Sequence, residues 1–361
     1  MNSIAEIIRA ETAQRGILPF ARFMELALYH PGLGYYETQK HSPGRRGDYY
    51  TSVSTGGLFG RLLAFQFANW LEELKSPPAS PATRHPPLCL IEAGAHDGQL
   101  ARDILAWLQM HRPRLFDQVE YIILEPSARR QAWQKETLKT FPNVRWHDSQ
   151  PSTLNPQLNG VLFSNELLDA FPVHRFGWDA KDKRWFEWGV ATEGDKFVWA
   201  KIQPSAFSLQ PSALEAVLPD GYTIETSPAA EDWWREAAGV LARGKLLAID
   251  YGFTADEMFS PARTHGTLRA YYRHHPTDDI LANPGEQDLT AHVNFSAIQK
   301  AGEDVGSKTE FFGTQAKFLT EIVKTQLATH NSQLVIPSRQ FQTLTHPDHL
   351  GRAFRVLVQT R

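Results

Sequence analysis

From Leu88 onward, short apolar runs alternate with amphipathic helical stretches, and this alternation limits the fold more than any other feature of the chain. Leu88–Ala93, Val119–Leu124, Val144–Trp146, Val161–Phe163 and Lys245–Ile249 read as strands, most of them apolar along their whole length. Helical spacing follows Gly98, where Leu100, Ile104, Leu105 and Leu108 share a face, and recurs over 127–140 and about 228–242. Largely apolar strands separated by helices predict a parallel sheet covered on both faces. The closing run Ala353–Val358 reads as an edge strand. Residues 173–202 shift to an antiparallel pattern, with turn residues at Asp179–Lys183 and Glu193–Asp195. Upstream, helices are expected over 3–14, 20–29 and Leu58–Leu74. A long loop fills Gly32–Gly57, and a proline-rich linker runs from Ser76 to Pro87. The expected organisation is an N-terminal region of helices and loop over 1–87, then an α/β domain over 88–361 with an insertion at about 173–227.

Composition removes several function classes. With 37 basic and 40 acidic residues the net charge is −3, which gives no pull towards nucleic acid or anionic lipid. No apolar run approaches the roughly 18 residues of a membrane-spanning helix. The single cysteine, Cys89, lies in an apolar run and reads as an inert buried thiol. The 14 histidines show no metal-binding spacing, and no metal site is expected. Glu6 and Glu11 near the start count against a transit peptide, so a cytoplasmic protein is expected.

Three segments carry candidate chemistry. In Leu90-Ile91-Glu92-Ala93-Gly94-Ala95-His96-Asp97-Gly98, a strand runs through a glycine turn into a helix. Such a turn lets a ligand approach free backbone N–H groups, although Gly94 and Gly98 would also suit a tight turn in any α/β protein. Glu125 ends the next strand, where a carboxylate can hold a ribose diol; a plain surface acid is the alternative. Together these features favour a nucleoside-bearing ligand without separating a dinucleotide from S-adenosylmethionine, and the incomplete G-x-G-x-x-G counts against NAD. Asn165, Glu166 and Asp169 follow the fourth strand, where open parallel sheets bind ligands. They could bind cofactor or orient a nucleophilic amine, and carboxylates suit a guanidinium; capping of the next turn competes for Asn165 and Asp169. Asp148 could bond an adenine amino group or simply make a turn.

The chain resembles the MidA family of methyltransferases, whose mitochondrial branch assists respiratory complex I assembly. The resemblance is carried by Phe20–Met24 through Tyr29–Tyr36, by Gly47-Asp48-Tyr49-Tyr50-Thr51-Ser52, by Asn165–Val173, by Asp250-Tyr251-Gly252 and by Pro284–Val293. It implies a Rossmann-like methyltransferase core, an N-terminal extension folding over the cofactor, and, in the mitochondrial branch, protein arginine methylation. It also implies cofactor contacts from Glu92, Gly94, Gly98, Glu125 and Asn165 together with Glu166, and a loop holding Asp48, Tyr49 and Thr51 over the methionine end of the cofactor. The family's glycine loop resembles Gly-Pro-Gly-Arg-Gly, whereas His96 replaces the middle glycine here. Its Cβ would crowd a cofactor and disfavours positive φ.

The expected activity is methyl transfer from S-adenosylmethionine to nitrogen, most plausibly of a protein arginine, with Glu166 and Asp169 orienting the acceptor. Tyr49 and His292 are further candidates, each with a packing or turn role as its alternative. A different class of explanation, favoured by His96, is a non-catalytic assembly factor that keeps the fold to bind a partner.

Overall fold

The computed structural model of the chain describes residues 3–38, 51–75, 88–148, 150–154, 157–204, 218–260, 263–273, 275–328 and 334–361. The chain forms two compact units, each assembled from three stretches. One comprises Ser42–Leu168, Asp232–Gly252 and Ala297–Arg361; the other comprises Met1–His41, Asp169–Glu231 and Phe253–Ser296. This division follows spatial contacts, whereas a boundary at 87/88 follows the proline-rich stretch of the sequence.

The first unit holds the parallel sheet. Its strands are β1 (Leu88–Ala93), β2 (Val119–Leu124), β3 (Val144–His147), β4 (Leu158–Asn165), β5 (Leu241–Phe253), β6 (Lys308–Thr314) and β7 (Phe354–Thr360). They lie in the order β3-β2-β1-β4-β5-β7-β6, with β1 to β5 parallel and β7 antiparallel to both its neighbours. The order reverses between β1 and β4, which is where doubly wound sheets bind ligands, beyond the strands' carboxyl ends. Burial on both faces explains the nearly unbroken apolar runs: every residue of β1 after Leu88 is buried.

The helices Leu58–Leu74 and Gln99–His111 cover one face, and Phe59, Leu62, Phe67, Leu100, Ile104 and Leu108 enter one core with Tyr121 and Phe163. The expected edge strand is an interior one. β7 is flanked on both sides because β6, a half-exposed polar segment with no clear alternation, forms the edge beyond it.

The second unit is built on antiparallel strands, as the turn residues imply. Arg184–Glu193 pairs with His174–Asp179, with Lys196–Ile202 and with Leu18–Pro19, and Thr223–Thr226 extends the sheet. A second small sheet joins Arg269–Tyr272 to His275–Thr277 and Gln287–Thr290. The helices Ile4–Arg15 and Phe20–Tyr29 contribute Ile8, Phe20, Phe23 and Met24 to this unit's core. Ser3 and Glu6 form a reciprocal capping box at the start of the first helix.

Candidate functional site

The carboxyl ends of β1, β2 and β4 carry Gly94, Gly98, Glu125, Asn165 and Glu166. After β1 the chain turns through Gly94 (φ +77°), His96 (φ +46°) and Gly98 (φ +82°). Gly98 caps the following helix, and the Gly98 N–H closes the turn on the Ala95 carbonyl at 2.7 Å. A Cβ at Gly94 would press on Leu167 Cδ1 at 3.1 Å, and the φ of +77° is what favours glycine there. His96 adopts the left-handed conformation that a glycine would take at no cost. The side chain makes that conformation costly, and the turn is held in it from outside. The His96 carbonyl accepts a hydrogen bond from Gln134 Nε2 at 3.0 Å.

Glu125 follows β2 and is almost wholly buried, at 3% exposure. One carboxylate oxygen accepts from the Ser127 N–H at 3.0 Å and the other from Gln134 Nε2 at 3.0 Å. Held at both oxygens and buried, Glu125 is not a plain surface acid. Asp148 is exposed just beyond β3. Glu92 sits within β1 on the core side, where Tyr121 Oη donates to it at 2.7 Å. Burial pushes the Glu92 carboxyl up to about 7, against the pull of that hydrogen bond.

Beyond β4 lies the most unusual cluster. Glu166 has φ +54°, a strained conformation for a long side chain. Its N–H donates to the Ile249 carbonyl at 2.9 Å. The next two N–H groups, of Leu167 and Leu168, donate to Asp250 Oδ2 at 3.1 and 2.8 Å. Asp250 directly follows the last residue of β5 paired with β4 and is 1% exposed, so a buried carboxylate fixes the backbone on which Glu166 rides.

Asn165 Nδ2 donates to Glu166 Oε1 at 3.0 Å, and the Ser52 backbone N–H also faces this carboxyl. Even so, burial, with Asp250 nearby, pushes Glu166 up to about 8. Ser164 Oγ, Asn165 Oδ1 and Glu166 Oε2 are buried atoms without a hydrogen-bond partner. Such atoms cost about 1–3 kcal/mol each when nothing pairs them.

Thr51 is buried in a short turn, with Ser54 Oγ donating to its carbonyl at 2.8 Å, and Ser52 Oγ donates to Gln315 Oε1 at 3.0 Å. Asp48 and Tyr49 lie outside the described residues. Asp169 and His292 fall in the antiparallel unit, where the Ala291 N–H donates to the Asp169 carbonyl at 2.9 Å. The His292 ring stacks on Phe253, 4.8 Å between centroids, and Arg263 covers Phe253 at 3.9 Å. Burial, reinforced by Arg269, lowers His292 to about 4, so the ring is neutral at physiological pH. Sequence reasoning missed Gln134, and it held Asp250 only as part of a block. A glutamine among solvent-facing residues of a helix gives no local sign of being buried.

A β3-β2-β1-β4-β5 parallel order, a glycine turn after β1 and a held carboxylate after β2 define a nucleoside-binding α/β enzyme of the Rossmann-like class. The chain belongs to the family described as "Putative S-adenosyl-L-methionine-dependent methyltransferase", whose model matches residues 62–313. A crystal structure from Burkholderia thailandensis, described as a "likely methyl transferase" bound to S-adenosyl-homocysteine, is 32% identical with a TM-score of 0.83. It covers 99% of this chain and 92% of its own. Among curated relatives, the mitochondrial protein arginine methyltransferase NDUFAF7 homolog of Drosophila melanogaster is 26% identical over 99% of this chain and 84% of its own length. The human mitochondrial protein arginine methyltransferase NDUFAF7 is 26% identical over 80% of this chain and 66% of its own.

The protein is thus a methyltransferase, and its cofactor is S-adenosylmethionine. The expectation of a cytoplasmic protein is overturned, since these curated relatives are named mitochondrial. That expectation rested in part on Glu6 and Glu11, which belong to a folded, capped helix. Among the described residues, no helix is long and apolar enough to cross a membrane.

Proposed function

We propose that this methyltransferase modifies a nitrogen of a protein side chain, the arginine guanidinium foremost. The observation that carries this reading is Glu166, whose Oε2 is buried and unpaired at the end of β4. The names of the curated relatives, protein arginine methyltransferases, support it. A carboxylate pairs with a guanidinium through two parallel hydrogen bonds, which fixes both distance and plane. Asp169, three residues further along the chain, is the second acid proposed for the acceptor. For His292 we propose a part in shaping the acceptor's surroundings rather than in proton transfer, because a group lowered to about 4 holds an abstracted proton poorly.

The residues after β1, β2 and β4 fit S-adenosylmethionine. Glu125 would accept the ribose hydroxyls, and Asp148 the adenine amino group. Gly94 and Gly98 would bring the turn's backbone against the ligand, and Asn165 Oδ1, unpaired and buried, would bond its polar end. Thr51 lies in the segment adjoining Glu166, and Glu92 would support the turn from beneath through Tyr121. When bound, the cofactor supplies a methyl group already activated on a sulfonium. Catalysis by this chain is therefore a matter of holding the acceptor nitrogen in line and of keeping water out.

The test is incorporation of tritiated methyl into protein from an extract, followed by acid hydrolysis. Label is expected in methylarginine and lost with Glu166→Gln. Label in methyllysine instead, or label undiminished by Glu166→Gln, would refute the assignment.

A further inference from the structure

We propose that Gln134 is a positioning residue for cofactor binding, locking the Glu125 carboxylate and the β1 glycine turn at a fixed distance from each other. This rests on the reading that Glu125 holds the ribose hydroxyls. The helix Ala128–Thr137 is polar along most of its length, and Gln134 is its one buried residue, with no exposed surface at all. A leucine would be the ordinary anchor for such a helix. A buried amide is costly unless each of its polar atoms is satisfied.

Here they are all satisfied, by three different strand ends. Gln134 Nε2 donates to Glu125 Oε2 beyond β2 and to the His96 carbonyl beyond β1, both at 3.0 Å. Gln134 Oε1 accepts from Trp146 Nε1 on β3, also at 3.0 Å. The Trp146 bond decides which way the amide faces, because a flipped amide would set two donors against each other and a carbonyl against a carboxylate. With the amide so oriented, its planar NH₂ ties the acid beyond β2 to the peptide of His96, the residue with φ +46° in the turn. Gly98 of the turn lies in ordinary contact with this helix, a Cβ there standing 3.5 Å from Gln134 Cα. With Ser127 holding the other oxygen of Glu125, the direction of the carboxylate is set, and it remains an acceptor for hydroxyl groups.

The experiment is a calorimetric titration of the full chain with S-adenosylhomocysteine and with its 2′,3′-dideoxy analogue. It compares wild type, Glu125→Gln, Gln134→Met and the double variant. Met keeps the volume of Gln and removes all three hydrogen bonds.

Expected is a loss of about tenfold or more in affinity for S-adenosylhomocysteine with Gln134→Met. Affinity for the dideoxy analogue should stay within about twofold of wild type, and the double variant should bind no more weakly than Glu125→Gln alone. A merely structural glutamine would weaken both ligands alike, or add its loss to that of Glu125→Gln, and either result overturns the proposal. If Gln134→Met does not fold, Trp146→Phe removes only the bond that orients the amide. It should give the same ribose-dependent loss, several-fold in size, and an equal loss for both ligands overturns the proposal. Unchanged binding by Glu125→Gln would overturn the reading of Glu125 itself. A weakened Glu125→Gln beside an unaffected Gln134→Met overturns the role of Gln134 alone.

Discussion

Glu166 combines a left-handed backbone with a carboxyl pushed up to about 8, and both conditions work against stability. Between the ordinary carboxylate range and about 8, the folded protein holds a proton at Glu166 that the unfolded chain has released. Stability from this group therefore falls as pH rises through that window. Glu166→Gln removes the titration, so its melting temperature relative to wild type should be higher at pH 8.5 than at pH 5, while methyl transfer is lost. Parallel melting curves across pH would refute this. The cationic acceptor we propose favours the ionised form, so wild-type methylation should also climb as pH approaches 8 and flatten above it. His96 makes a milder demand. With φ +46°, it costs about 1 kcal/mol against glycine. His96→Gly should therefore melt about 2 °C higher and bind S-adenosylhomocysteine as wild type does, a result that calorimetry and a thermal scan would give together. Glu125 and Glu166 could be picked out from sequence because each ends a recognisable strand. Gln134 and Asp250 could not, because their roles are set by folded partners, 9, 12 and 38 residues away for Gln134 and 82–83 for Asp250.

The elements with two buried faces or a clean apolar stripe were legible, and those whose stability comes from neighbours were not. β1 and β2 fall where their apolar runs place them, as does the helix Leu58–Leu74. β6, with its sequence Lys-Thr-Glu-Phe-Phe-Gly-Thr, has no alternation to read; it is a strand because β7 pairs with it. The misreading of β7 as an edge follows from that omission. Packing between helices is equally silent in sequence. Gly60 looks like a defect in the helix Leu58–Leu74, yet a Cβ there would stand 2.6 Å from Asp103 Cβ on the helix Gln99–His111. Glycine is what lets the two helices meet. Gly60→Val should destabilise the fold by about 1–3 kcal/mol through overpacking, read as a lower denaturant midpoint with unchanged slope. A midpoint within error of wild type would mean that the helices separate without cost.

At the scale of the whole chain, each compact unit is drawn from three separated stretches. Hydrophobic periodicity announces elements one at a time and says nothing of which distant stretches share a core, so this interleaving could not be read from local pattern. What could be read was the parallel core, because alternating strands and helices allow few topologies. That core also limits what ligands can do to the whole molecule. A cofactor that binds only the folded state adds RT ln(1 + [L]/Kd) to stability, about 2.7 kcal/mol when the ligand is at a hundred times its Kd. Proposed contacts from turns after β1, β2 and β4 exist only while those strands are paired, so unfolding has to release the ligand. S-adenosylhomocysteine should raise the melting temperature by several degrees, with the shift growing as the logarithm of ligand concentration. NAD should leave it unchanged, since the turn lacks the full glycine fingerprint. Glu125→Ala should shrink the S-adenosylhomocysteine shift at every concentration, displacing the curve along the concentration axis by about tenfold or more. A shift of the same size in Glu125→Ala would place the ribose elsewhere, and an equal shift with NAD would mean that the turn does not discriminate between the two nucleosides.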